Sequence, residues 1–170
     1  MTLVLGGARA GKSAFAERLA RAWERRVYVA TAVVTDGEMA ERIAAHRARR
    51  GADWRTVEEP VELAATVRRE SAPGTCVLVD CLTVWLGNLM HYGRDVEAAC
   101  EALLESLAAA PGPVVLVANE VGLGIVPDNG MARAFRDHAG RLNQAMAGAA
   151  RRVYFVAAGL PMTLKGPAPD

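Results

Sequence analysis

Cysteine is scarce in this chain, and what there is forms no pattern. Among 170 residues there are three, Cys76, Cys81 and Cys100. The number is odd and no pair has Cys-x-x-Cys spacing, so neither a disulfide framework nor a zinc site is expected. Reduced thiols in a cytoplasmic protein are the expectation. An excess of charge is missing too. Twenty Lys and Arg stand against 19 Asp and Glu, a formal net charge of +1, which supplies no electrostatic drive toward nucleic acid or an anionic membrane. No apolar run approaches the ~20 residues of a membrane span. The first residues, "TLVLGG", run into a short strand and glycines rather than a secretory leader. No repeat and no Pro/Gly-rich linker interrupts residues 1–170, so one domain with its own core is expected, with a poorly ordered tail from about 160 onward. Histidine is the other rarity: His46, His91 and His138 are all there is.

What is present is alternation. The runs 2–5 ("TLVL"), 26–31 ("RVYVAT"), 75–80 ("TCVLVD"), 113–119 ("PVVLVAN") and 152–158 ("RVYFVAA") are short, continuously apolar and rich in β-branched residues, which suits parallel strands covered on both faces. "WRTVE" (54–58) reads as a further strand. Helical patterns fill 12–24, about 37–50, 60–71, roughly 82–92, 95–109 and 130–149. This order predicts a doubly wound α/β sheet with right-handed crossovers, its ligands at the carboxyl ends of the strands.

The first strand ends in "GGARAGKS", which satisfies G-x-x-x-x-G-K-[ST] from Gly6 to Ser13 and leads into an amphipathic helix bearing Phe15, Leu19 and Trp23. Glycines let backbone N–H groups turn toward phosphate oxygens, and the helix that follows presents its positive end to them. Lys12 is expected to neutralise the outer phosphates, and Ser13 to offer a hydroxyl to Mg²⁺. A second Mg²⁺ ligand is expected at the end of a neighbouring strand, where "CVLVD" supplies Asp80; the same residue could instead cap a helix starting in "DCLTVWL". A third strand end carries "ANEVGLGIVPDN", either a surface turn or a substrate-recognition loop.

His46 lies in "GEMAERIAAHRARRG". On a helix, Arg42, Arg49 and Arg50 fall at i−4, i+3 and i+4 from it, Met39 and Ile43 form an apolar stripe at its margin, and Gly51 ends the pattern. Guanidiniums around an imidazole disfavour its protonation. A neutral ring beside fixed positive charge could attack phosphorus while the arginines hold the oxygens. The same pattern equally describes a solvated basic face with a bystander histidine. His91 and His138 read as structural, and Asp137 and Arg141, spaced i and i+4, are expected to pair.

Seven stretches together resemble one family: "GGARAGKS", "VYVATA", "DGEMAERIAAHRARR", "WRTVEEP", "VLVDCLTVWLGNL", "NEVGLGIVPDN" and "FRDHAGRLNQ". They occur in the order found in the bifunctional adenosylcobinamide kinase / adenosylcobinamide-phosphate guanylyltransferase family of cobalamin biosynthesis, and cover nearly the whole chain. The resemblance implies a P-loop NTPase-like α/β fold, a RecA-type mostly parallel sheet flanked by helices on both faces. It implies an enzyme that phosphorylates the aminopropanol hydroxyl of adenosylcobinamide with ATP or GTP, then transfers GMP from GTP to that phosphate. By the same likeness His46, in an H-R/K-x-x-R pattern, carries the GMP. The nucleotide is expected at Gly6, Gly7, Ala8, Arg9, Ala10, Gly11, Lys12 and Ser13, at Thr31, Ala32 and Val33, at Arg47, Ala48, Arg49 and Arg50, and at Glu58 and Asp80. Mg²⁺ is expected on Ser13 and Asp80, and a homotrimer is implied as the assembly. The chain departs from the family at Ala10, where serine is common, and in "GLPMTLKGPAPD" at its end. Two other readings fit the phosphate loop alone: a small-molecule P-loop kinase with no covalent intermediate, and a RecA-like nucleotide-switch module.

Overall fold

The structure, a computed structural model, describes residues 1–33 and 53–169. The helix expected at about 37–50 lies outside the described residues, and His46 with it. Seven strands form one sheet: β1 (Thr2–Gly6), β2 (Arg25–Ala30), β3 (Arg55–Glu58), β4 (Thr75–Asp80), β5 (Val114–Asn119), β6 (Arg152–Ala157) and β7 (Leu160–Lys165), in the order β3-β2-β4-β5-β1-β6-β7. All pairings are parallel except β6 with β7. Five helices are described: α1 (Lys12–Ala20), α2 (Leu63–Glu70), α3 (Leu82–His91), α4 (Val96–Ala108) and α5 (Gly130–Ala149). The α/β class expected from the alternation is what the chain adopts.

Alternating side chains of each strand feed two cores, as the pleat requires. Leu3, Val27, Val29, Val77, Val79, Val114 and Leu116 point to the face covered by α2–α5, where Leu63, Trp85, Leu86, Leu103 and Met146 meet them. Val4, Tyr28, Cys76, Leu78, Val115 and Val117 point to the other face, where Phe15, Ala16 and Ala20 of α1 lie on them. Burial on both faces explains why these strands read as unbroken apolar runs. Polar caps set two of the helix starts: Asp95 accepts from the Ala98 N–H before α4, and Asn129 from the Ala132 N–H before α5. The cysteines are free, and burial pushes the thiol of Cys76 up to about 12 and those of Cys81 and Cys100 up to about 11. Among the described residues no helix is long and apolar enough to cross a membrane.

Three expectations need correction. Residues from 160 do not form a loose tail: Leu160–Lys165 pairs antiparallel with β6. The connection is a two-residue turn with Ala158 and Gly159 both at positive φ (50° and 80°), the type I′ geometry that matches strand twist. Pro161 is tolerated because β7 is an edge strand. The Lys165 ammonium then donates to the Ala147 and Gly148 carbonyls at the end of α5, and Tyr154 donates to the Pro167 carbonyl at 3.0 Å. Second, α1 stops at Ala20 rather than continuing to 24. Third, Asp137 and Arg141 do not pair. Asp137 accepts from Arg136, while Arg141 and His138 both lie near the Glu97 carboxylate of α4.

Leu116 sits at the middle of the sheet and is fully buried. Leu116→Ala is expected to lower unfolding stability by about 2–5 kcal/mol, read as a fall in the urea midpoint at unchanged m-value.

Candidate functional site

The carboxyl ends of the parallel strands form a row. From one edge inward they bring Glu58 (β3), Thr31–Val33 (β2), Asp80 (β4), Asn119–Glu120 (β5) and the loop Gly6–Ser13 (β1) to the same end of the sheet, with Ala30 in register with both Glu58 and Asp80, and Gly6 with Asn119. Strands lie about 4.8 Å apart, so Glu58 and the phosphate loop are about 19 Å apart along the row. A ligand touching both would lie across β2, β4 and β5.

The loop itself is held by backbone. Gly6 (φ 151°) and Gly11 (φ 96°) occupy conformations that side chains disfavour. A Cβ on Gly6 would fall on the Val156 carbonyl of β6, and one on Gly11 would come within 3.1 Å of Gly159 Cα. The Gly159 N–H donates to the Ala10 carbonyl at 2.9 Å, and the Glu120 N–H to the Gly6 carbonyl at 3.0 Å. The loop is therefore braced by the β6–β7 turn on one side and by β5 on the other. Neither Val156 nor Gly159 was a sequence-derived candidate. Their part depends on pairing across the sheet, which no local motif announces.

Lys12 opens α1 and is only 6% exposed. Its ammonium donates back to the Gly7 carbonyl at 2.5 Å. Burial lowers its pKa from the ordinary 10.5, with Cys81 and the Asp80 carboxylate pulling it back upward. Lys12 and Asp80 thus feel one another although β5 stands between their strands. Ser13 is partly exposed beside Lys12.

Asp80 ends β4 without capping a helix. The N-cap of α3 is Cys81, in extended backbone with no side-chain cap, and the Asp80–Cys81 peptide is cis. Instead Asp80 Oδ2 accepts from the Tyr28 hydroxyl at 2.9 Å. Thr31 is fully buried, and its hydroxyl faces the Cys81 backbone, accepting from its N–H and lying 2.8 Å from its carbonyl. Asn88 of α3 adds a bond from Nδ2 to the Thr31 carbonyl at 2.8 Å and another to Pro60 at 3.0 Å. Thr31 therefore joins the ends of β2 and β4, while Val33, 37% exposed, is open to the row. The Ser13 hydroxyl and the Asp80 carboxylate, both hard oxygen donors, are of the kind that suits Mg²⁺, which keeps waters and takes few protein ligands. Among the described residues no group of three His, Cys, Asp or Glu side chains could hold a metal alone. Arg47, Ala48, Arg49 and Arg50 lie outside the described residues.

Residues 2–164 match the family described as CobU, cobinamide kinase / cobinamide phosphate guanyltransferase. The chain is 55% identical over 167 residues to the bifunctional adenosylcobalamin biosynthesis protein CobP of Pseudomonas aeruginosa, covering 96% of each. It is 43% identical over 180 residues to the bifunctional adenosylcobalamin biosynthesis protein CobU of Escherichia coli, covering 97% of this chain and 99% of the relative. A solved structure from Pyrococcus horikoshii shares the fold at a TM-score of 0.58 and 9% identity, over 98% of this chain and 86% of that one.

The buried ammonium yields a pH dependence. Phosphate favours charged Lys12, whereas burial in the free protein disfavours it, so above its lowered pKa binding must take up a proton. Affinity for a nucleoside triphosphate is expected to fall as pH rises, beginning below 10.5. Lys12→Arg, which stays charged, should flatten that alkaline fall in a fluorescent-nucleotide titration; an equal fall in both proteins would show that another group is responsible.

Proposed function

Because the chain belongs to the cobinamide kinase / cobinamide phosphate guanyltransferase family, we propose that it performs both reactions of that description. It phosphorylates the aminopropanol hydroxyl of adenosylcobinamide with ATP or GTP, then transfers GMP from GTP to the new phosphate. The match along residues 2–164 carries this reading, and the braced loop over Lys12 supports it.

In the first reaction the acceptor hydroxyl attacks the terminal phosphorus, and the bond to the bridging oxygen breaks to release the nucleoside diphosphate. Positioning and charge neutralisation supply most of the acceleration in such transfers. Backbone N–H groups of Gly6–Ser13 and the N-terminus of α1 hold the phosphates, and Lys12 balances their charge. Ser13 and Asp80 would hold Mg²⁺, which when bound offsets charge on the phosphate oxygens. The Tyr28 hydroxyl, donating to Oδ2, restrains the Asp80 carboxylate. In the second reaction a ring nitrogen of His46 attacks the α-phosphorus of GTP and pyrophosphate leaves. The acceptor phosphate then attacks that phosphorus, breaking the P–N bond and freeing the imidazole. Arg47, Arg49 and Arg50 supply fixed positive charge for the phosphate oxygens, and Glu58, Ala32 and Val33 line the far part of the row for the nucleotide, whereas Thr31, expected there from the sequence, is fully buried and holds the ends of β2 and β4 together. A homotrimer in the cytoplasm is part of the same reading; sedimentation would give its mass.

GTP labelled at the α-phosphate should leave label on the denatured protein, labile in acid and stable in base as a P–N bond requires. His46→Ala should lose that label and guanylyl transfer while keeping acceptor phosphorylation. Label retained in His46→Ala, or an acid-stable adduct, would refute the carrier role. Lys12→Ala should reduce both reactions by about 10²–10³ in rate, as both start from a triphosphate in one loop; full activity in either assay would separate the two sites.

A further inference from the structure

β5 runs between β1, which leads into Lys12, and β4, which ends in Asp80, so its own carboxyl end lies between those two charges. Asn119 stands there. It is in register with Gly6 of β1, one strand spacing or about 4.8 Å away. Asp80 is in register with Val117 of β5, so Asn119 lies two residues, about 7 Å, further along than that carboxylate. The pleat settles the face. Val115 and Val117 of β5 join the core beneath α1, as do Cys76 and Leu78 of β4. Side chains two residues apart share a face, so Asn119 and Asp80 both belong to the α1 side of the sheet. α1 packs across β4 and β5, and it opens on Lys12 and Ser13. Asn119 therefore stands beside the positive end of that helix.

Its backbone is clamped. Two helices on the opposite face each direct a buried side chain to it. Thr83 of α3 accepts from its N–H at 2.6 Å, and Asn143 of α5 donates from Nδ2 to its carbonyl at 3.2 Å. Thr83 is 9% exposed and Asn143 8%. The neighbouring Glu120 N–H is bound in turn to the Gly6 carbonyl. The side-chain amide of Asn119 is half-buried and has no hydrogen-bond partner among the described residues. A residue fixed at both its N–H and its C=O, with its side-chain donor free, presents that donor at a set position.

We propose that Asn119 donates from Nδ2 to the terminal phosphoryl group of the bound triphosphate, with Thr83 and Asn143 as positioning residues that act through it. This rests on the triphosphate site assigned under the proposed function. A phosphate that meets both Lys12 and Asp80 is an outer one, and Asn119 stands between them. The terminal group also carries more free oxygens than an inner phosphate, so it takes a donor from the β5 side as well as from the loop and Lys12. A neutral amide supplies that bond without adding a charge that would hold the group back during transfer.

The experiment uses the full chain and two nucleotides, GDP and the non-hydrolysable β,γ-imido analogue of GTP, titrated by calorimetry. Asn119→Ala should bind the analogue about 10–100-fold more weakly, the range for a hydrogen bond to a charged group. Its GDP affinity should not change, and its kcat for acceptor phosphorylation should fall. Thr83→Val strips the Asn119 N–H of its acceptor and should show a smaller loss with the same selectivity for the triphosphate. Thr83→Ser keeps the hydroxyl and should bind as the unaltered protein does. Thermal midpoints check each fold; if Thr83→Val does not fold, Asn143→Ala removes the other clamp and is read in the same way. No loss in Asn119→Ala, or an equal loss for both nucleotides, would overturn the contact. A clamp variant that weakens both nucleotides equally, or a Thr83→Ser that fails to restore binding, would overturn the positioning roles. An unaltered protein that prefers the triphosphate yet phosphorylates no cobinamide would strike the functional reading and leave the contact standing. One that binds neither nucleotide would overturn both.

Discussion

One cation kept out of water organises this end of the molecule. Lys12 is 6% exposed, and an ammonium so placed is costly unless something compensates it. The Gly7 carbonyl meets it directly and the Asp80 carboxylate acts from across β5. Those two partners can serve only if the loop and the end of β4 are fixed. The close backbone approach at Gly6 and Gly11 fixes the first. The Tyr28–Asp80 bond and the reciprocal tie between Thr31 and Cys81 fix the second. Much of the local architecture can be understood as what is needed to hold a buried charge where an anion will reach it.

The strand order matters for the same reason. β5 sits between the lysine's strand and the aspartate's, so the two opposite charges influence one another without collapsing into a direct ion pair. A closed pair would neutralise the charge that a phosphate is meant to meet. Separation by one strand leaves the field and keeps the ammonium available. It also gives β5 a place in the row, from which Asn119 and Glu120 emerge.

Much of this was legible in the residues. Continuous apolar runs located β1, β2, β4, β5 and β6 because parallel strands are buried on both faces, and "WRTVE" marked β3 despite lying at an edge. Gly6–Ser13 announced the loop because phosphate chemistry demands those residue types at fixed spacing. β7 escaped because an alanine at positive φ opens its turn and a proline sits inside it, both contrary to ordinary strand signals. The expected Asp137–Arg141 pair failed because Glu97, brought alongside by packing of α4 on α5, offers a competing carboxylate. Tyr28, Gly159 and Val156 were not picked out for a related reason: each acts on a residue distant in sequence. The arginines and histidine of 42–50 lie outside the described residues, so their arrangement rests on spacing and family likeness.

The turn at Ala158–Gly159 has a consequence for how the chain is made. The phosphate loop follows the first strand, yet its brace at Gly159 lies beyond the last helix. At translation rates of about 5–20 residues per second, the loop emerges from the ribosome about 7–29 s before the backbone that steadies it. The nascent protein therefore passes through a long interval with its anion-binding motif written but not yet fastened, because the Gly159–Ala10 bond can form only once the β6–β7 turn has been made.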